Sequence, residues 1–354
     1  VQIQFDLNWE NSWYGGGLNN WDAAWVFVKF RSGTSGTWQH VQLGNTGHTS
    51  PSGSQVDPGL LTPASPYNAT SNPVLGVFIH RNTNGTGNLS LPGVSLNWVY
   101  GSLGINYIDL MEIKVPIEMV YVPQGAFAAG SGGSETNAFA LTTINTANAT
   151  TAPSGTGSLG GQAGGYPTGQ TAPGNGSWPN GYNAFYCMKY ELSQQGYVEF
   201  LNTLTFDQQS SRTATSPTSA AGTGALNTTG NYRDGIDIQT PSIFTQPAVY
   251  ACNLNGNGVF GEAADGKDIA CNYLNWSDHA AYLDWSGLRP MTEMEFEKAC
   301  RGTTAPVPDQ YPWGTTSLTT SGQYTLANPG ASNEGIASNY STAQGNAGYS
   351  NTTN

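Results

Sequence analysis

Residues 1–116 are a succession of short apolar stretches with strand periodicity, and this limits the fold more than any other feature of the chain. Gln2-Ile3-Gln4-Phe5-Asp6-Leu7-Asn8-Trp9 alternates polar and apolar positions. So does Trp38 to Leu43 and, less strictly, Val94 to Tyr100. Side chains on a strand point alternately to opposite faces, so each such run has one face to bury. Trp25 to Phe30 and Val74 to Ile79 are more continuous apolar runs, and Tyr107 to Val115 closes the set. Gly, Asn and Pro turns separate the runs, and no helix start-and-stop pattern interrupts them. The expectation is an all-β, sandwich-like domain over 1–116.

The remainder, 117–354, reads differently. Ile117 to Ala128 opens it as a strand. Two tracts rich in Gly, Ser, Thr and Asn follow, at about 129–181 and 208–240, and read as linker-like. Three helices are predicted. Ser193 caps one carrying Tyr197, Phe200, Leu201 and Leu204; Ser277 caps a second through Leu283 and Trp285. Thr292-x-x-Glu295 forms a capping box ahead of Phe296 and Ala299. The fold class is therefore α+β overall, in two domains for 354 residues.

Charge excludes some functions. Charged residues make up 10% of the chain, against about 25% for an ordinary soluble domain. The net charge is −12 with only 11 Lys and Arg, which excludes a nucleic-acid groove. No apolar run reaches the length of about 18 residues that a membrane span needs. Val1 begins in mid-strand, as a processed mature end would.

Four cysteines occur, at 187, 252, 271 and 300, with no zinc-like spacing. An even number in a charge-poor chain suits an oxidising compartment. The pairing expected is Cys252–Cys271 and Cys187–Cys300. Three pairings are possible, and four buried thiols are the alternative.

An ordered set of motifs then appears. Met119 to Phe127 reads Met-Val-Tyr-Val-Pro-Gln-Gly-Ala-Phe. Lys189-Tyr190-Glu191-Leu192-Ser193 leads into the first helix. Trp276-Ser277-Asp278-His279-Ala280-Ala281-Tyr282 forms the second. Arg289 to Glu297 reads Arg-Pro-Met-Thr-Glu-Met-Glu-Phe-Glu, followed by Arg301-Gly302 and Tyr311-Pro312-Trp313-Gly314. In this order the motifs resemble the formylglycine-generating enzyme (sulfatase-modifying factor) family. The resemblance implies a C-type-lectin-like domain with much irregular structure, and scaffold roles for most motif residues. Arg289 is expected to pair with Glu191 or Glu297.

Oxidase members of that family hold copper through two cysteines beyond the Pro-Trp-Gly motif, and no cysteine follows Cys300 here. Non-haem iron relatives use a His-rich helical domain. His40, His48, His80 and His279 are scattered, and read as surface or core residues. The motifs as read span about 117–314, so the expectation is a domain lacking its C-terminal part, with no catalytic residues and no catalytic cofactor.

One cofactor candidate remains, a structural calcium. Asn253-x-Asn255-x-Asn257-Gly258, with Glu262, Asp265 and Asp268, resembles a calcium loop without the Asp at its first position and the Glu at its twelfth. Nine Asn-x-Ser/Thr sequons occur, at Asn68, Asn84, Asn88, Asn148, Asn175, Asn227, Asn275, Asn339 and Asn351. Trp13, Tyr14, Trp21 and Trp178 beside Gly and Asn turns are candidate sugar-stacking platforms. Together these features predict a non-catalytic extracellular or cell-surface glycoprotein that polymerises with copies of itself into a filament or surface layer. Strand complementation would join the copies, with Val1–Trp9 the segment donated or paired. The alternatives are a lectin-like glycan-binding module and a copper-dependent oxidase with its C-terminal third missing.

Overall fold

The computed structural model describes residues 1–17, 19–32, 36–59, 74–103, 110–113, 117–133, 141–147, 179–226, 233–243, 246–311, 313–319, 325–331, 333–338 and 345–346. The first part holds β1 (Gln2–Gly15), β2 (Asn20–Arg31), β3 (Gln39–His40), β4 (Ser54–Pro58), β5 (Gly76–Arg81), β6 (Gly85–Asn97), β7 (Leu110–Ile113) and β8 (Ile117–Val122). The second holds β9 (Phe127–Ala129), β10 (Thr142–Ile144), β11 (Phe185–Met188), α1 (Gln194–Leu201), α2 (Phe206–Ser210), β12 (Ile236–Thr240), β13 (Val249–Cys252), α3 (Trp276–Ser286) and α4 (Glu293–Arg301). Strand exceeds helix, and the class is α+β.

Strand β2 organises the first part. It pairs with β1 at its start, with β8 and β5 in its middle, and with β7 and β3 at its end. Its even positions Ala24, Val26, Val28 and Phe30 enter a core with Ile3 and Leu7 of β1, Val77 and Ile79 of β5, and Leu91, Val94 and Leu96 of β6. Its odd positions meet α3. Trp25 Nε1 donates to the Ser286 carbonyl at 2.8 Å, and Phe27 packs edge-on against Trp285. Burial on both faces is why the sequence reads as a continuous apolar run rather than an alternation.

The expected sandwich is drawn differently by the hydrogen bonds. Among the described residues they link one nine-stranded network. Strand β1 leaves β2 after the Tyr14–Trp21 pair and runs along β6 instead, from Gln2–Asn97 to Tyr14–Gly85. The β1–β6 ribbon thus folds over the β2–β5 strands and encloses the core. A register shift between Trp9 and Ser12 marks a bulge, with Asn11 at φ 56°.

The same pairing places Val1–Trp9, the segment expected to be donated or paired, in the sheet of its own chain. That segment is a strand of its own chain: Ile3 and Leu7 are core residues, and Trp98 donates its N–H to the Val1 carbonyl.

Two compact units are present, and their limits do not follow a division at 116/117. One comprises Val1–Val120, Met188–Pro290 and Asn328–Glu334; the other comprises Tyr121–Cys187, Met291–Ala327 and Gly335–Asn354. The second unit's described core is Phe127, Ala129, Ile144 and Met294, with Tyr182 against it. The tract at 208–240 is not a linker where it is described. The Ala225 N–H donates to the Ile236 carbonyl, the Gly222 N–H to Ile238, and the Ser242 N–H to Pro217.

Candidate functional site

The helix motifs are built as scaffold. Ser193 caps α1, its hydroxyl accepting from the Gly196 N–H. Tyr197, Phe200, Tyr282 and Trp285 then form one aromatic cluster, ring centroids 5.4–6.0 Å apart. Helix α3 is capped by Asn275, two residues before the Ser277 expected, in a capping box with Asp278. Asp278 also accepts from Arg212 at 3.0 Å. The helix ends on Gly287 at φ 73°, where a Cβ would sit 3.1 Å from that of Leu75.

In the second unit, α4 carries the expected Thr292–Glu295 box. Glu293 and Glu295 lie in its first turn and Lys298 and Arg301 in its last, the arrangement its dipole favours. Lys298 is buried. Its ammonium donates to the carbonyls of Pro123, Gly181 and Tyr182 at 2.7, 2.8 and 3.2 Å. Burial lowers its pKa to about 8. Glu297 accepts from the Gly130 N–H, and Arg289 donates to the Pro290 carbonyl.

The four cysteines are thiols, so the expected disulfides are not formed in the structure. Both expected pairs are nonetheless neighbours. Burial and then Cys300 raise the Cys187 pKa. Burial, Asp234 and Cys252 raise that of Cys271. Cys252 is pushed up to about 12 by burial and by Asp265, Asp268 and Asp234. Reactive or metal-binding sulfur is the thiolate, and these surroundings oppose its formation. All four thiols precede the Pro-Trp-Gly motif.

The asparagine loop follows β13. Asn253 is buried; its amide donates to Asp237 at 2.7 Å, and its oxygen accepts from the Gly258 N–H. Asn255 and Asn257 donate to Glu262 at 3.0 and 2.5 Å. Their own oxygens accept from the N–H groups of Asn257 and Val259. Gly258 occupies the loop's sixth position at φ 75°. Asp265 is only 1% exposed. Asp268 is exposed and joins none of these bonds among those described. Glu262 is the carboxylate that ties the asparagines together, and the acid in their spacing was its only sequence signal.

The histidines do not converge. His40 Nδ1 faces Lys29 Nζ at 2.7 Å and Nε2 faces the Leu75 carbonyl. Burial and Lys29 lower its pKa to about 3. His48 bridges Gly44 and Asn97. His80 meets Asp57 at 2.9 Å, and His279 is exposed. Among the described residues no three His, Cys, Asp or Glu side chains group as metal ligands.

Of the stacking candidates, Tyr14 and Trp21 stack on each other at 5.2 Å, and Trp21 stacks on His80. Trp13 is half-buried. Asn84, Asn88 and Asn275 are exposed. Trp178, Asn68, Asn148, Asn175, Asn227, Asn339 and Asn351 lie outside the described residues.

Comparison with curated proteins and with solved structures gives no match. A family model, the sulfatase-modifying factor enzyme 1-like domain, matches residues 113–352. The match begins near the opening strand at 117. It runs well beyond Gly314, so the family pattern does not stop at the Pro-Trp-Gly motif as expected from the motifs alone. Most of the chain lies within this match, and the chain belongs to the sulfatase-modifying factor enzyme 1-like domain family.

Proposed function

We propose that this chain is a non-catalytic structural protein that acts outside the cell or at its surface and assembles with copies of itself. One observation carries the reading. Aromatic side chains face solvent on neighbouring segments of the first unit, while the polar motif residues around them are consumed by the scaffold. The Ser193–Ala270 bridge and the bond from the Cys271 N–H to the Leu192 carbonyl run these segments side by side. Tyr190 is 62% exposed, Tyr273 44% and Trp276 72%. Exposed aromatics grouped in this way mark interaction surfaces. The net charge of −12 opposes contact between copies at long range, so in this reading the aromatic groups carry the contact with a second copy. Val1–Trp9, already paired at home, is not the joining element in this reading. The sequons at exposed Asn84, Asn88 and Asn275 suit a glycosylated surface protein.

Electron microscopy of native material, with sedimentation of the purified chain, tests this. Filaments or sheets are expected, and Trp276→Ser with Tyr190→Ser should abolish them while leaving the fold intact. Monodisperse monomers at every concentration would overturn the reading, and retention on a glycan column would favour a lectin-like role.

A further inference from the structure

We propose that the loop from Asn253 to Asp265 is a calcium site closed by Asp265. The loop spaces its carboxamides at positions 1, 3 and 5, with glycine in a left-handed conformation at position 6. That is the framework of a 12-residue calcium loop, which closes with a carboxylate at position 12. Here position 12 is Ala264, and the carboxylate falls one residue later.

Asp265 behaves as that closing group. Its carbonyl accepts from the Leu254 N–H at 3.1 Å, and its Oδ2 accepts from the Glu262 N–H at 2.6 Å. Both bonds hold it against the loop. Its other oxygen, Oδ1, is buried with no hydrogen-bond partner. Among the described residues it is the one carboxylate oxygen in that condition. An unpaired buried anionic oxygen is costly, and a hard cation removes the cost. The asparagine oxygens that close the turns keep a second lone pair each. Calcium takes six to eight oxygens from carboxylates, amides and carbonyls. It therefore needs no group of three acids.

Surrounding charge points the same way. Asp237 holds the Asn253 amide. Calcium is favoured over magnesium because it accepts carboxamide and carbonyl oxygens in varied number, whereas magnesium demands a near-ideal octahedron.

Calorimetric titration of the full chain with calcium chloride, and with magnesium chloride as control, tests the site. One calcium per chain is expected, with Kd on the order of 10⁻⁴–10⁻³ M, as for extracellular modules. In 10 mM calcium the unfolding midpoint should rise by about 2–4 °C over that in 10 mM magnesium. Asp265→Asn should weaken binding at least tenfold. Asn255→Ala, on the exposed side of the loop, should fold like the parent by circular dichroism and still bind more weakly. No calcium-specific heat in the parent would overturn the site, because a bridging water would then suffice. Equal affinity in the parent and Asp265→Asn would overturn the role of Asp265.

Discussion

The β1–β6 core and the α1–β13 region satisfy their backbones in opposite ways. Around β2 the chain pairs strand to strand, and the enclosed side chains are apolar: Val26, Val28, Phe30, Leu43 and Leu96 are all fully buried. Around α1 and β13 side-chain amides take the place of a neighbouring strand. Gln209 donates to the Leu201 and Ala248 carbonyls and accepts from the Ala248 N–H. Asn202 grips both the N–H and the carbonyl of Tyr250. Gln194 accepts from the Gly235 N–H and donates to the Arg233 carbonyl. A region with few long strands leaves buried peptide groups without a ladder, and these must be paired somehow. Carboxamides suit the task because each carries a donor and an acceptor on one plane. Irregular structure here is thus pinned by specific polar side chains rather than left loose.

That contrast can be broken at four points. Phe30→Ala should cost about 4 kcal/mol, the range for emptying an aromatic site in a closed core, measured by urea unfolding. Gln209→Leu keeps the side chain's bulk but strands the Ala248 N–H and carbonyl, while the Leu201 carbonyl keeps its bond from the Leu204 N–H, and should cost about 3 kcal/mol. A loss below about 1 kcal/mol would show that the clamp is dispensable. Asn202→Ala, with two backbone groups affected, should cost about 2 kcal/mol and speed amide exchange at Tyr250 before it affects β2.

The fourth point separates the regions by pH. His40 is held neutral by burial and Lys29, its pKa lowered from 6.5 to about 3. The unfolded chain therefore binds more protons between those values. Stability from this group is complete above pH 6.5 and declines as pH falls toward 3. His40→Gln should flatten the melting temperature between pH 7 and 4 relative to the parent, and an unchanged slope would remove His40 from the account.

The sequence discloses these two regions unequally. Alternation in Gln2–Trp9 and the apolar run of β2 identify the strands of the first, because burial and side-chain period act together there. Strand β4 escapes notice because Ser54-Gln55-Val56-Asp57-Pro58 has neither pattern. The helix caps at Ser193 and Thr292 are legible, since a capping box has fixed spacing. That at Asn275 is misread by two residues because Ser277 is an equally good cap by type. The clamps of Gln194, Asn202 and Gln209 are invisible, since their partners lie far along the chain and a buried glutamine looks like an exposed one. Asp265 sits between these cases: its spacing hints at a ligand, but only its buried, unpartnered oxygen distinguishes it from Asp268.

The covering of β2 by α3 sets an order of events during synthesis. Trp25 finds its carbonyl partner at Ser286, so the strand is made long before its cover exists. At about 5–20 residues per second, the Trp25 and Phe27 face waits on the order of ten to fifty seconds after β2 emerges. Contacts so distant in sequence slow folding and leave sticky surface exposed meanwhile. A nascent chain stalled before residue 276 should therefore bind holdase chaperones through β2, and one released past residue 287 should not.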